Sequence, residues 1–252
     1  MYPRTNPTTR PLLSPNLLKS ANELVANATS ATFASDPLLG PGLSLATSVF
    51  TSVVKRHGNI IEAGIIEALE LSEQYIVLPS VTMPITTAAE VLVAGNAPDA
   101  LKGLSVSHDG PSNRLAVFDL VAIRIEDGHA IIVEIKRGSG ETELKKRRYT
   151  ENTLRAGQLQ GKSFLKSLGY SVSEVNARVI DFYGRSRFRP DLAVTRTELD
   201  ALFKVPVRAT VDAVTAVVQR RLRSALPGLI GLVQGDEAVV PFNEFAVRNE
   251  AA

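Results

Sequence analysis

Apolar positions recur along this chain with two periods, and these divide it into elements. The clearest stretch runs from Ala116 to Gly138, AVFDLVAIRIEDGHAIIVEIKRG. Two apolar, β-branched runs flank Glu126-Asp127-Gly128-His129, and Asp-Gly between such runs is a strong hairpin signal. With Asp127 and Gly128 as a two-residue loop, Glu126 faces His129, Asp119 faces Lys136 and Val121 faces Glu134. Side chains alternate along a strand. One face then carries Val121, Ile123, Ile125, Ala130 and Ile132, with Asp119, Glu134 and Lys136 at one end. The other carries Phe118, Leu120, Ala122, Ile131, Val133 and Ile135, with Arg124 as the exception. A hairpin apolar on both faces is predicted to lie centrally in a sheet.

Helical spacing marks the surrounding segments. A helix is predicted over 16–33, and DPLLGPG (36–42) breaks the chain after it. A longer helix follows over about 44–72, with Phe50, Val53, Val54, Ile61, Ile65, Ala68 and Leu69 on one arc. Glu62 falls at one edge of that arc and Glu67 at the other. Glu70 points away, and His57 lies on the apolar side as a core histidine. Residues 74–81 read as a first strand, 86–93 as a short helix and 96–113 as a loop. Beyond the hairpin, 141–169 is helical with a break near Gly157, and 177–183 is a strand. Short helices follow over 197–203 and 207–226, and 227–242 is strand-like. The four prolines among the first fifteen residues predict an extended arm. Residues 16–252 read as one domain. The predicted class is α/β, a mixed central sheet of at least four strands flanked by helices, with extra helices at both ends.

Composition narrows the function classes. Of 252 residues, 44% are hydrophobic and 21% charged, which is ordinary for a soluble globular chain. Cysteine is absent, so disulfides and zinc–thiolate sites are excluded. The formal net charge is only +2, so a nucleic-acid surface has to come from local clustering. No apolar run approaches the roughly 20 residues of a membrane span, and the N-terminus lacks the pattern of a signal peptide. The expected compartment is the cytoplasm, without membrane association.

The chemistry concentrates where Asp119, Glu134 and Lys136 meet. Two carboxylates and an ammonium at the end of a buried hairpin are costly unless they bind something. Magnesium takes oxygen ligands, commonly one or two carboxylates with phosphate oxygens and water. A metal held there would clamp a phosphodiester and lower the pKa of water, and a lysine would orient that water or neutralise developing charge. Asp119 with Glu134-Ile135-Lys136 resembles the PD-(D/E)XK nuclease superfamily, which contains most type II restriction endonucleases. The resemblance follows the order of elements from about Ser48 to Tyr183. Phe118 stands where the name-giving proline would be, at a position that varies widely in the superfamily. The segment KRHGNIIEAGIIEALE resembles the N-terminal helix of many members, where a glutamate faces the metal site, and Glu62 is the match.

The resemblance implies a restriction-endonuclease-like core and Mg2+-dependent hydrolysis of DNA to 5′-phosphate and 3′-hydroxyl ends. Asp119 and Glu134 would hold the metal, Lys136 would position or activate water, and Glu62 would be an additional carboxylate. Many members carry a glutamine near the site on the helix after the hairpin, and Gln158 or Gln160 fills that place here. Lys145 and Arg148, within a run of four cations, are candidate phosphate contacts, although such a run is usually a solvated face. Arg185, Arg187 and Arg189 alternate around Phe188 before Pro190. They read as a DNA-contacting loop or as a surface turn. One compact unit without a helicase or ATPase module favours a type II restriction endonuclease on double-stranded DNA. Cutting both strands of a palindrome then calls for a homodimer. A repair or recombination nuclease, a DNase toxin and a non-catalytic DNA-binding protein are the alternatives.

Overall fold

The computed structural model describes residues 13–235. Helix α1 spans Pro15–Ser30; the Ser14 hydroxyl accepts the Leu17 N–H and proline occupies its first turn, an arrangement that satisfies one orphan donor and removes another. The arm predicted for residues 1–15 lies outside the described residues up to Leu12. Helix α2 spans Gly40–Leu71. It begins inside DPLLGPG, because Leu39 and Gly40 donate their N–H groups to the Asp36 carbonyl and Gly40 takes φ +69°. Strand β1 (Tyr75–Thr86), helix α3 (Thr87–Gly95), β2 (Ser112–Arg124), β3 (His129–Lys136) and α4 (Leu144–Ser167) follow. Then come β4 (Glu174–Asp181), β5 (Ala193–Val194), α5 (Leu199–Phe203) and α6 (Val207–Gly235).

The predicted break at Gly157 does not occur. A Cβ there would sit 2.6 Å from the Phe118 ring, so glycine is present for close packing rather than for a kink. Nor is the chain from Pro227 strand-like: α6 continues through the proline to Gly235, bearing the lost backbone bond, and Leu229 beyond it is buried. The remainder of that predicted strand, 236–242, lies outside the described residues.

The sheet has five strands in sequence order, β1-β2-β3-β4-β5. The pairs β1–β2 and β2–β3 are antiparallel, and β3–β4 and β4–β5 are parallel, with α4 as the crossover that a parallel pair requires. The sheet is thus mixed and flanked by helices, as the pattern predicted. The hairpin register differs from the expected one. Leu120 pairs with Val133 and Ile123 with Ala130, so the loop is the four residues Ile125–Gly128. Asp127 accepts both Arg124 nitrogens, at 2.9 and 2.6 Å, and the His129 N–H at 3.0 Å, while Gly128 donates to the Arg124 carbonyl at 2.9 Å and takes φ +69°. These bonds close a wider loop than Asp-Gly alone specifies. They also explain Arg124, the charge that ends an otherwise apolar run in β2. The slip is two residues, so the faces of Leu120–Ile123 and Ala130–Val133 are kept.

Each face of the sheet buries its own core. Val121, Ile123, Ala130 and Ile132 cluster with Ala89 of α3 and with Leu154, Phe164 and Leu165 of α4. Leu120, Ala122, Ile131 and Val133 cluster with Ile61, Ile65 and Leu69 of α2, Phe203 of α5 and Val211 of α6. Phe118 was expected beside Leu120, yet it belongs to the α3–α4 side together with Ala116. Strand β1 changes sides at the same level: Tyr75 and Val77 pack toward α2, whereas Val81, Met83 and Ile85 pack toward α4. The register matches Pro79 with Leu120 and Val81 with Phe118, so the reversal falls at Ser80 and Asp119. Ser80 has φ +52°, a left-handed backbone that rotates the strand's side chains to the other face.

The chain divides into two compact units, a subdivision the single predicted domain did not include. One is Ile61–Asp212 and contains the sheet. The other takes Leu13–Ile60 with the chain from Ala213, and its described part is helical. In that helical unit His57 is buried, with Nε2 3.1 Å from the Thr215 hydroxyl, and Arg221 donates to Asn22 at 2.6 Å. Among the described residues no helix is long and apolar enough to cross a membrane.

Candidate active site

The three predicted side chains meet where the sheet forks. Strands β2 and β3 pair only from Leu120 to Ile123 and from Ala130 to Val133. Beyond that, β2 continues against β1 as far as Ser112, and β3 continues against β4 as far as Lys136. Asp119 and Glu134 are the first residues past the split, and Lys136 follows two residues along β3. The parting strand would leave the Ile135 N–H without a cross-strand carbonyl. The Asp119 carboxylate takes that place, with Oδ2 accepting the N–H at 2.6 Å. A charge-assisted bond to the backbone fixes the side chain without using its second oxygen.

Lys136 donates to Glu134 Oε1 across the two-residue spacing that keeps both on one side of β3. Their side chains are 32% and 17% exposed, so the pair is sheltered but open to a ligand. Burial pushes the Glu134 carboxyl above the ordinary carboxylate range; Lys136 opposes the rise and Asp119 adds to it. Glu62 on α2 belongs to the same field. Burial raises its carboxyl, and the negative charges of Asp119 and Glu134 raise it further, against Lys136. All four residues lie in the sheet-bearing unit, Ile61–Asp212.

The donor set fits a hard divalent cation: two partly buried carboxylates, one of them held toward its neutral form chiefly by burial and further by the charge of the other. Among the described residues, no three His, Asp or Glu side chains stand close enough to form a ready-made metal cage. A cation at the fork would therefore rest on Asp119 and Glu134, completed by water and substrate oxygens.

The candidate DNA contacts separate into those at the surface and those inside. Lys145 and Arg148 are exposed on the first turns of α4. The cation of that run whose charge reaches Glu134 is Lys146, which the sequence did not single out. Gln160 is fully buried: its carbonyl accepts the Thr86 N–H and hydroxyl at 3.1 and 3.2 Å, and its amide donates to the Pro84 carbonyl. It pins α4 to the end of β1 and is no surface for DNA. Gln158 accepts the Ala177 N–H at 3.0 Å, beside the middle of β4. Neither glutamine is brought to Asp119 and Glu134.

Arg185, Arg187 and Arg189 are exposed, while Ser186 and Phe188 between them are buried at 2% and 6%. The alternation is enforced from beneath. Asp181, which pairs with Lys136 in the β3–β4 register, accepts the Ser186 N–H at 2.8 Å and its hydroxyl at 3.0 Å. Gly138 has φ +66°, and a Cβ there would lie 1.7 Å from Asp181 Oδ1, so only glycine fits. The Gly138 carbonyl also accepts the Arg185 N–H at 3.2 Å. This connection ties the arginine loop to the strand bearing Lys136. Arg137, next along, stacks over the Tyr183 ring at 5.1 Å. A buried aspartate ending an apolar strand just before Gly-Arg-Ser was the one sequence signal for this anchor. Arg187 itself bonds Glu141 at 3.2 Å, and Arg189 bonds Asp191 at 3.2 Å.

No protein-family model matches the chain, and a search of curated proteins gives no match.

Proposed function

We propose that this protein is a magnesium-dependent DNA endonuclease of the PD-(D/E)XK type, acting as a type II restriction enzyme on double-stranded DNA. The observation that carries the reading is the fork itself. Asp119, Glu134 and Lys136 stand together at the parting of two buried strands, and their charges reach Glu62 on α2. The order α2, β1, β2, β3, α4, β4 supports a restriction-endonuclease-like core.

In this reading Asp119 and Glu134 hold Mg2+. The cation supplies positive charge at the scissile phosphate and lowers the pKa of water. The Ile135 N–H orients Asp119. Lys136 positions the attacking water and offsets charge on the phosphorus oxygens, and Glu62 adds a further carboxylate at the rim. Arg185, Arg187 and Arg189, with Lys145 and Arg148, make phosphate and base contacts. Gln160 has no part in this and Gln158 none near the reacting atoms.

The test is incubation of the purified protein with plasmid and phage DNA in magnesium, beside Glu134→Ala. Discrete fragments that disappear in the variant are the expected result. A smear lost in the variant keeps hydrolysis but replaces restriction with a repair nuclease or DNase toxin. Intact DNA on duplex, branched and single-stranded substrates overturns the catalytic reading. One observation favours a second reading, a non-catalytic DNA-binding protein. Glu134 is already ion-paired with Lys136, so the site is partly self-neutralised. Magnesium-independent DNA binding, unchanged in Glu134→Ala, is the result that reading expects.

A further inference from the structure

A second site lies elsewhere in the sheet-bearing unit. Strand β5 pairs only with Val179 and Ile180, so the first half of β4 is an open edge. A cavity of about 440 Å3 lies along that edge, walled on the other side by α4 and by the chain around Leu101–Ser105. This volume is within the range of small-ligand sites.

Its wall carries four cations, two of them paired with carboxylates and two not. Lys102, Arg155, Lys162 and Arg178 face Glu174 and Asp191. Lys102 is paired with Asp99 at 2.7 Å. Asp191 is taken by Arg155 at 2.7 Å and Arg189 at 3.2 Å. Glu174 accepts from Asn176 at 3.4 Å. Among the described residues neither Lys162 nor Arg178 has a carboxylate within ion-pair distance. Arg178 donates only to the neighbouring Ala177 carbonyl, at 2.7 Å. Burial draws the charged form of this guanidinium down, with Asp191 opposing from a distance. A half-buried arginine without a partner anion is an expensive arrangement. Gln158 completes the wall. Its carbonyl is engaged by the Ala177 N–H, which leaves its amide group as a donor.

We propose that this cavity binds a phosphate monoester, with Lys162 and Arg178 supplying the counter-charge and Gln158 a further hydrogen bond. Lys162 and Arg178, set against the single unpaired carboxylate Glu174, leave the wall with surplus positive charge for an anion. A guanidinium fork, an ammonium and an amide outnumber the two oxygens of a carboxylate and suit the oxygens of a phosphate. This site stands independently of the nuclease reading. Its ligand has two sources, a free nucleoside monophosphate or the terminal phosphate of a nucleic-acid chain.

Calorimetric titration of the full chain in EDTA tests it, with inorganic phosphate, dTMP, thymidine, and oligothymidylate with and without a 5′-phosphate as probes. Saturable binding of phosphate and dTMP but not of thymidine is expected. Lys162→Ala, a change on the partly exposed face of α4, is expected to weaken it at least tenfold. Arg178→Lys keeps the charge but loses the fork, and is expected to weaken it as well. Competition with dTMP by the oligomer only when it is phosphorylated identifies a nucleic-acid end. Failure of that oligomer to compete, with dTMP bound, identifies a small molecule. Absence of saturable binding up to ~10 mM, equal binding of thymidine, or affinity unchanged in Lys162→Ala overturns the proposal.

Discussion

At the scale of single residues, the fork is a place where stability and chemistry oppose each other. Glu62 and Glu134 are both held toward their neutral forms by burial. A carboxyl with its folded-state pKa raised is easiest to accommodate when protonated. Its contribution to stability is therefore full below the unfolded value of about 4.3 and is lost as pH rises through the folded value. Glu62→Gln is permanently neutral and escapes that loss. The variant is expected to match wild type in melting temperature at acid pH and to exceed it at neutral pH, with the gap opening upward from about pH 4.3. Thermal melts across pH are the check, and a variant less stable at neutral pH contradicts the account. Lys136→Ala removes the positive charge beside both carboxylates. On the nuclease reading proposed above, it is expected to cost about 10²- to 10³-fold in cleavage rate, the range for loss of one transition-state donor, measured by single-turnover assay.

At the scale of elements, two packed contacts position the site. Gly157 of α4 receives the Phe118 ring, and Phe118 directly precedes Asp119. Alanine is the better helix former by about 1 kcal/mol, yet Gly157→Ala is expected to destabilise by about 1–3 kcal/mol through overpacking. Adding Phe118→Leu should recover part of that loss, a coupling that denaturant titration of the double-mutant cycle measures. Simple additivity would show that the two do not touch. The second contact is the Gly138–Asp181–Ser186 anchor under the arginine loop. Because the three arginine side chains lie outside it, replacing each by alanine should change stability by no more than about 0.5 kcal/mol, and all three together by no more than about 1.5 kcal/mol. DNA affinity should fall, and the slope of log affinity against log salt should flatten by about 0.9 for each phosphate contact removed. An unchanged salt slope would assign the loop a purely structural role.

At the scale of the whole molecule, one chain offers one fork. A symmetric cut of both strands requires two forks related by a two-fold axis. On the restriction reading proposed above, the active species is expected to sediment in the presence of specific DNA with two copies of the 27.1 kDa chain. A single copy cutting both strands at equal rates would exclude that arrangement. With a net charge of only +2, the DNA binding proposed above would depend on where the cations lie. Those cations fall in separate places: the loop over Asp181, the first turns of α4, and the open edge of β4.

The sequence alone determined the α/β class, most of the element order and the faces of the paired part of the central hairpin, Leu120–Ile123 and Ala130–Val133. Alternating and helical periods are local properties, readable wherever burial on one side is strong. It also singled out Asp119, Glu134 and Lys136, because charge at the end of an otherwise apolar strand is visible without a fold. Only the tertiary structure decided what depends on contacts between distant segments. The Arg124–Asp127 clamp set the loop length, since a side-chain pair can widen a turn that Asp-Gly leaves open. Strands β1 and β2 change sides together at Ser80 and Asp119, which places Phe118 in the other core, with Pro79 within a strand as the faint signal. Gln160 became an internal clamp because its partners, Thr86 and Pro84, come from over seventy residues away. The division into two units falls inside α2 and α6, where helical periodicity continues unbroken and marks no boundary. And the fork follows from strands of unequal length pairing on opposite sides, a property of the assembled sheet that no single strand carries.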